Sequence, residues 1–221
     1  MRYLIALLTI ACLAALAPAV AGAQEITVGG KGGLNISNLS VDAPDAPDSG
    51  FDSQTDFLVG GFVQFGLGEF FAVQPEVFYS QRGAKAKNQD PAVKLNLNYI
   101  EVPLLLMARL TSREAPLYPF LYAGPQVSFE TRCLVTGEQD GVTASFDCDA
   151  PELDGGLETA KTDFGLVFGG GLEILYSRLT IQLDARYRLG LTNLNAADDA
   201  SEVSVKSKGW SFMLGAGVPI G

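Results

Sequence analysis

The residue types best suited to chemistry in this 221-residue chain are its carboxylates, its arginines and two well-separated cysteines. Without a histidine no Ser-His-Asp relay can form, and the usual transition-metal ligand sets are missing too. Acids such as Glu76 and Glu101 could do acid-base work if their environments drove their pKa values apart. Arg82, Arg109 and Arg186 offer them salt bridges instead, which is the expected fate. Gly165 and Gly169 to Gly171 do not form a phosphate-binding loop, because they sit within a strand pattern and no helix follows. No catalytic set is visible, so an enzyme, a cofactor and a bound metal are not expected.

Cys133 and Cys148 form an even pair of the kind that reads as a disulfide in an exported chain. Closing a loop of about 15 residues is worth on the order of 3 kcal/mol in the chain-entropy model. Asp147, Asp149, Glu152 and Asp154 crowd the same segment with hard oxygen ligands that could hold calcium, but no EF-hand spacing is present. A solvated acidic loop is the expectation, as it is for Asp42, Asp45, Asp48 and Asp52 in an Ala-Pro-Asp-rich stretch. The net charge of −10 argues against nucleic acid as a partner, since phosphates reward basic patches.

Arg2 precedes an unbroken apolar run that Pro18 cuts short of the roughly 20 residues a spanning helix needs. Ala21-Gly22-Ala23 closes the run as a signal-peptidase site does. Residues 1–23 are therefore expected to be a cleaved signal peptide, lost together with Cys12, and 24–221 a single domain.

Within that domain no window reaches helical span length, so membrane residence would have to come from strands. The signal is period two. From Ile26 the even positions run Ile26, Val28, Gly30, Gly32, Leu34 and Ile36, against Thr27, Gly29, Lys31, Gly33, Asn35 and Ser37. From Leu179 a 14-residue alternation sets Leu183, Tyr187 and Leu191 against Asp184, Arg186 and Arg188, longer than the usual soluble strand of about 5 to 6 residues. Similar stretches at 55–67, 70–82, 95–110, 117–130, 162–176 and 205–220 bring the total to eight. Their connections alternate long and short, as in outer-membrane barrels with short periplasmic turns and longer outside loops. The fold predicted is an eight-stranded antiparallel up-and-down transmembrane β-barrel in the outer membrane of a Gram-negative-type envelope.

Charge fixes which face is which. The apolar parity carries no charge within the strand cores, whereas Glu76, Arg82, Glu101, Arg109, Asp163, Glu173, Asp184, Arg186 and Arg188 share the other one. An Arg facing mid-bilayer lipid costs roughly 2 to 4 kcal/mol, so these nine are expected inside as a salt-bridged plug. A soluble lipocalin-type barrel would show the reverse, with apolar side chains lining a cavity. Lys206 and Lys208 share the outward parity of Trp210 but lie at the outer end, within reach of headgroups. Interface girdles are expected from Phe70, Phe71, Tyr118 and Tyr176 near the short turns, and from Phe57, Tyr79, Phe129, Phe164 and Trp210 near the long loops. Pro75, Pro103, Pro119, Pro125 and Pro219 each remove a ladder donor, and bulges are expected to absorb them. The fifth strand is apolar on both parities around Tyr118 to Gly124, which leaves its facing open.

The runs Val73-Gln74-Pro75-Glu76-Val77-Phe78-Tyr79-Ser80-Gln81-Arg82-Gly83 and Tyr99-Ile100-Glu101-Val102-Pro103-Leu104-Leu105 resemble the PorT-like outer-membrane β-barrel family. Gly124-Pro125, the Asp163 to Glu173 run and Arg186-Tyr187-Arg188-Leu189-Gly190-Leu191 continue the likeness across nearly the whole domain. The resemblance implies a small barrel in which in-strand Pro-Glu patterns are common. The chain ends Val218-Pro219-Ile220-Gly221 where such barrels commonly end in an aromatic residue, so insertion is expected to rest less on that terminal signal. The expected role is a non-enzymatic, monomeric membrane scaffold that contacts outer-membrane lipid and offers acidic loops to an envelope or extracellular partner. A narrow channel for ions or small solutes, or a secretion-machinery component, is the alternative.

Overall fold

A strand with one apolar and one polar face is stable in a bilayer only when every backbone group is paired, which obliges the last strand to bond the first. The computed structural model, which describes residues 25–42, 51–86, 92–111, 117–139, 142–148, 161–192 and 204–220, shows that closure. Its strands are β1 (Glu25–Asp42), β2 (Phe51–Leu67), β3 (Phe71–Ala86), β4 (Ala92–Arg109), β5 (Leu117–Gln139), β6 (Val142–Asp147), β7 (Thr162–Tyr176), β8 (Leu179–Gly190) and β9 (Ser204–Pro219). Eight of them form a closed antiparallel ring in which β1 lies between β2 and β9, and β4 and β5 complete the circle. The short β6 stands outside the ring and pairs only with the far end of β5.

Ladder partners traced from Ile26 pass through Phe65, Val73, Leu106, Ala123, Phe168, Tyr187 and Trp210 and return to β1 at Ile36, ten residues on. This stagger is the shear that tilts the strands and sets the barrel's width. The tight turns lie at one end. Gly68 takes the left-handed φ of 74° that joins β2 to β3, and Ser177 takes φ 60° between β7 and β8, a region that glycine enters without strain and serine does not.

The predicted bulges at the prolines are not found. The register shifts occur at Ser53/Leu58 and Asn98/Tyr99 instead. Pro75 stays paired with Leu104 on β4 while its ladder toward β2 skips from Phe62↔Glu76 to Phe65↔Val73 in unchanged register. Pro103 and Pro125 behave alike, each holding one neighbouring strand and interrupting the ladder to the other. Losing one N–H removes bonds on one side only, so the strand runs through without an extra residue.

Facing follows the alternation. Val28, Leu34, Phe57, Val59, Leu106, Leu121, Leu183, Phe212 and Leu214 stand exposed on the outside, while every charged residue of the predicted interior set is buried. Inside, large side chains lie over glycines. The Phe62 ring fills the space where a Cβ on Gly29 or Gly217 would sit, and Phe120 and Tyr122 fill that above Gly171 and Gly169. The glycine run of β7 thus serves packing. On β5 the open facing resolves with Leu117, Leu121 and Phe129 outward and Tyr118, Phe120 and Tyr122 inward.

Burial in lipid carries this arrangement, so Leu214→Arg should lower the unfolding free energy in vesicles by about 2–4 kcal/mol, and Leu189→Arg near the outer rim by only about 0–1 kcal/mol. Urea titration followed by tryptophan fluorescence measures both.

Candidate functional site

The interior gathers opposite charges at three heights. At the short-turn end Arg109 on β4 places Nε 2.9 Å from Glu173 Oε2 on β7. Gln64 and Gln182 each donate to the other oxygen of Glu173 at 2.7 Å, and Arg109 Nη2 donates to Gln64 Oε1 at 3.0 Å. The cavity beside them, lined by Thr27, Tyr118 and Thr180 among others, holds about 10 Å³, room for roughly one water.

At mid-height Lys31 on β1 spans the lumen. Its Nζ lies 2.9 Å from Glu76 on β3 and 3.0 Å from Asp184 on β8. Arg186 faces the same two carboxylates at 2.6 and 3.6 Å, and its Nε donates to the Tyr122 hydroxyl at 3.0 Å. That hydroxyl donates in turn to Asp184. Arg186 also lies over the rings of Phe78 and Tyr122, and Lys31 over Phe62, so each cation has both an acid and an aromatic face. Gln74 donates to Glu76 and accepts from Gln64, tying this tier to the one below.

Toward the long-loop end Arg82 on β3 grips Glu101 with Nη2 at 2.6 Å and Nε at 3.0 Å. Its Nη1 lies 3.3 Å from Asp163 on β7, and its guanidinium is 4.3 Å from the Tyr99 ring centre. Arg188 adds a longer contact to Glu101 at 3.6 Å, while Gln126 donates to the other Glu101 oxygen at 3.0 Å.

All nine interior charges read from the sequence are brought into this network. The alternation missed one partner: Lys31, with 3% of its surface exposed, makes five cations against five acids. Its signal was its place on the polar parity of β1, beside Thr27 and Asn35. Tyr122 and the four glutamines 64, 74, 126 and 182 were also missed, because a neutral polar residue announces no partner in a sequence.

The girdle set needs one correction. Phe70, Phe71 and Tyr176 are exposed near the short turns, and Phe57, Phe129 and Trp210 toward the other end, with Tyr79 and Phe164 half-buried on the same outward parity. Tyr118 is 4% exposed and points inward. The parity that gives lipid Leu117 and Leu121 sends Tyr118 inside, opposite Glu173, where its phenol meets polar groups.

Cys133 and Cys148 are joined, with their Cα atoms 5.4 Å apart. The expected loop around them is more ordered than predicted: β5 continues to Gln139 and β6 returns alongside it, Gln139 pairing with Val142. Asp140-Gly141 between them is a dipeptide that favours two-residue hairpins. The bridge packs on Leu97 and Tyr99 at the outer mouth of the barrel. Asp147 is exposed and lies 3.6 Å from Arg132, and among the described residues no group of acids has metal-ligand geometry. Asp149, Glu152 and Asp154 lie outside the described residues, as do the side chains of Asp42, Asp45, Asp48 and Asp52 and residues 1–23, expected as a signal peptide.

A closed eight-stranded cylinder with a greasy exterior and a charge-compensated interior defines an integral β-barrel membrane protein. The chain belongs to the outer membrane protein beta-barrel domain family, whose model matches residues 22–196. Among solved structures it is similar to the outer membrane protein OprG of Pseudomonas aeruginosa, at 12% identity over 90% of this chain and 97% of that one, with a TM-score of 0.55. Neisserial surface protein A matches at 13% identity over 88% and 96% of the two chains, TM-score 0.46. The N-terminal barrel domain of Pseudomonas aeruginosa OprF matches at 12% over 90% and 99%, TM-score 0.42. No curated protein matches the chain.

Removing one member of a buried charge set leaves the rest uncompensated. Lys31→Met should therefore cost about 3–5 kcal/mol of unfolding free energy, and adding Glu76→Gln should recover about 1–3 kcal/mol as coupling; a double-mutant cycle in vesicles measures both. Replacing Cys133 and Cys148 with serine should expose the β5–β6 hairpin to trypsin at Arg132 while the barrel strands stay protected, as peptide mapping would show.

Proposed function

We propose that this outer-membrane barrel is a non-enzymatic scaffold whose filled lumen holds a rigid frame for acidic outer segments, which contact an envelope or extracellular partner bearing basic groups. The observation that carries this reading is the network of five cations and five acids that crosses the lumen at three heights. An eight-stranded interior is only wide enough for its own side chains, and here those side chains are locked to one another. The disulfide-tied hairpin at the long-loop end supplies a firm platform. On this reading the protein acts as a monomer, residues 1–23 are removed on export, and the outward aromatics form interface girdles. The PorT-like motifs fall almost wholly within strands, so they support the barrel and not a place in a secretion machine.

Planar-bilayer recording tests the reading. The protein should show no sustained unitary current, whereas Arg82→Ala with Arg186→Ala should leak. Sustained unitary currents from the unaltered protein would replace the scaffold with the narrow-channel alternative.

A further inference from the structure

The outer wall made by β7, β8, β9 and β1 is not uniform. Phe168, Tyr187 and Trp210 are ladder neighbours on adjoining strands, and their rings touch in series, with centroids 5.2 and 5.1 Å apart. Directly below, the next outward rung begins with Gly170 and Ala185 before rising again at Phe212. Those two small residues floor an open groove of about 520 Å³, walled by Leu172, Leu183, Phe212 and Leu214.

Above the aromatic rung, β9 presents Lys208 and then Lys206 on the parity of Trp210. Among the described residues neither lysine has an acidic partner, although the chain as a whole carries a net charge of −10. Two residues apart on one strand face, they stand about 7 Å from each other, a span that two ammonium groups can close on one phosphate. Four residues of strand, about 13 Å, separate Lys208 from the groove level at Phe212. That distance runs from the headgroup region into the upper acyl region.

We propose that this wall binds one anionic acylated lipid of the outer leaflet, with its phosphate on Lys206 and Lys208 and an acyl chain laid past Trp210 into the Gly170–Ala185 groove. Position and charge together select the ligand. Outward lysines at the headgroup level attract phosphate, the groove below accepts only hydrocarbon, and the aromatic rung marks the boundary between them.

Native mass spectrometry of the full chain in detergent tests this with dimyristoyl-phosphatidylglycerol, dimyristoyl-phosphatidylcholine, dihexanoyl-phosphatidylglycerol and inorganic phosphate as probes. The first should be retained best, and Lys206→Gln with Lys208→Gln should weaken it by about tenfold or more. Ala185→Leu, which fills the groove without touching the charges, should weaken the dimyristoyl lipid and leave the dihexanoyl one unchanged. Arg178→Gln, an exposed cation at the opposite end, should have no effect. Equal retention of the phosphatidylcholine, unchanged binding in either β9 lysine or Ala185 variants, or an equal loss with Arg178→Gln would overturn the proposal. Binding of inorganic phosphate as tight as that of the lipid would do so too.

Discussion

An ion inside a narrow β-barrel can reach neither bulk water nor lipid, so its counter-charge has to come from another side chain of the lumen. That constraint organises the rest of the molecule. The bilayer demands a closed ring because unpaired backbone groups cannot be left in hydrocarbon. Eight strands make the ring too small for a water-filled core. What remains inside must then be packed and neutral as a whole, and the interior meets both conditions with matched numbers of acids and cations.

Matching is necessary because each desolvated charge costs several kcal/mol, a cost that attraction offsets only when the geometry is good and the remaining hydrogen-bonding sites are filled. The tiers show how the sequence answers most of that demand, with Arg109 Nη1, Asp163 Oδ1 and Arg188 Nε left without a hydrogen-bond partner among the described residues. Glu173 has Arg109 on one oxygen and two glutamine amides on the other. Arg82 uses two donors on one Glu101 oxygen and keeps a third for Asp163, a fork geometry that lysine could not supply. Where a single cation must link two strands from opposite sides, Lys31 does so with one compact ammonium. Its neighbour Gly29 leaves the Phe62 ring the space beside it.

Much of this was legible in the sequence. Period-two alternation is a direct readout of strand facing, so the eight staves, the closure and nine of the interior charges follow from it. Tyr118 escaped because β5 is apolar on both parities there, and only the register with β7 decides which side meets Glu173. A proline's missing donor suggests a bulge when the sequence does not show which neighbour it faces; Pro75, Pro103 and Pro125 each interrupt one ladder and keep the other. Cross-barrel partners stayed hidden for a different reason: Lys31 and Asp184 are 153 positions apart, and a single chain read alone gives charge signs without distances. The β5–β6 hairpin lies beyond the membrane span, where length and hydropathy no longer constrain the strands.

Alternation also leaves a question that the interior answers. A slip of one residue would turn every charge of a strand to lipid and is forbidden outright. A slip of two keeps each residue on its proper face, so hydrophobic sidedness is blind to it. The ionic tiers are not. Moving β1 by two residues carries Lys31 about 7 Å along the barrel, out of reach of both Glu76 and Asp184, and brings a side chain where Gly29 now clears the Phe62 ring. The same shift of β7 would bring Val167 against Tyr122 in one direction, where Gly169 now sits, or Glu173 against Phe120 in the other, where Gly171 now sits. Lipid selects the parity of each strand, and the buried salt bridges with their glycine-for-aromatic fits select among the registers that parity allows.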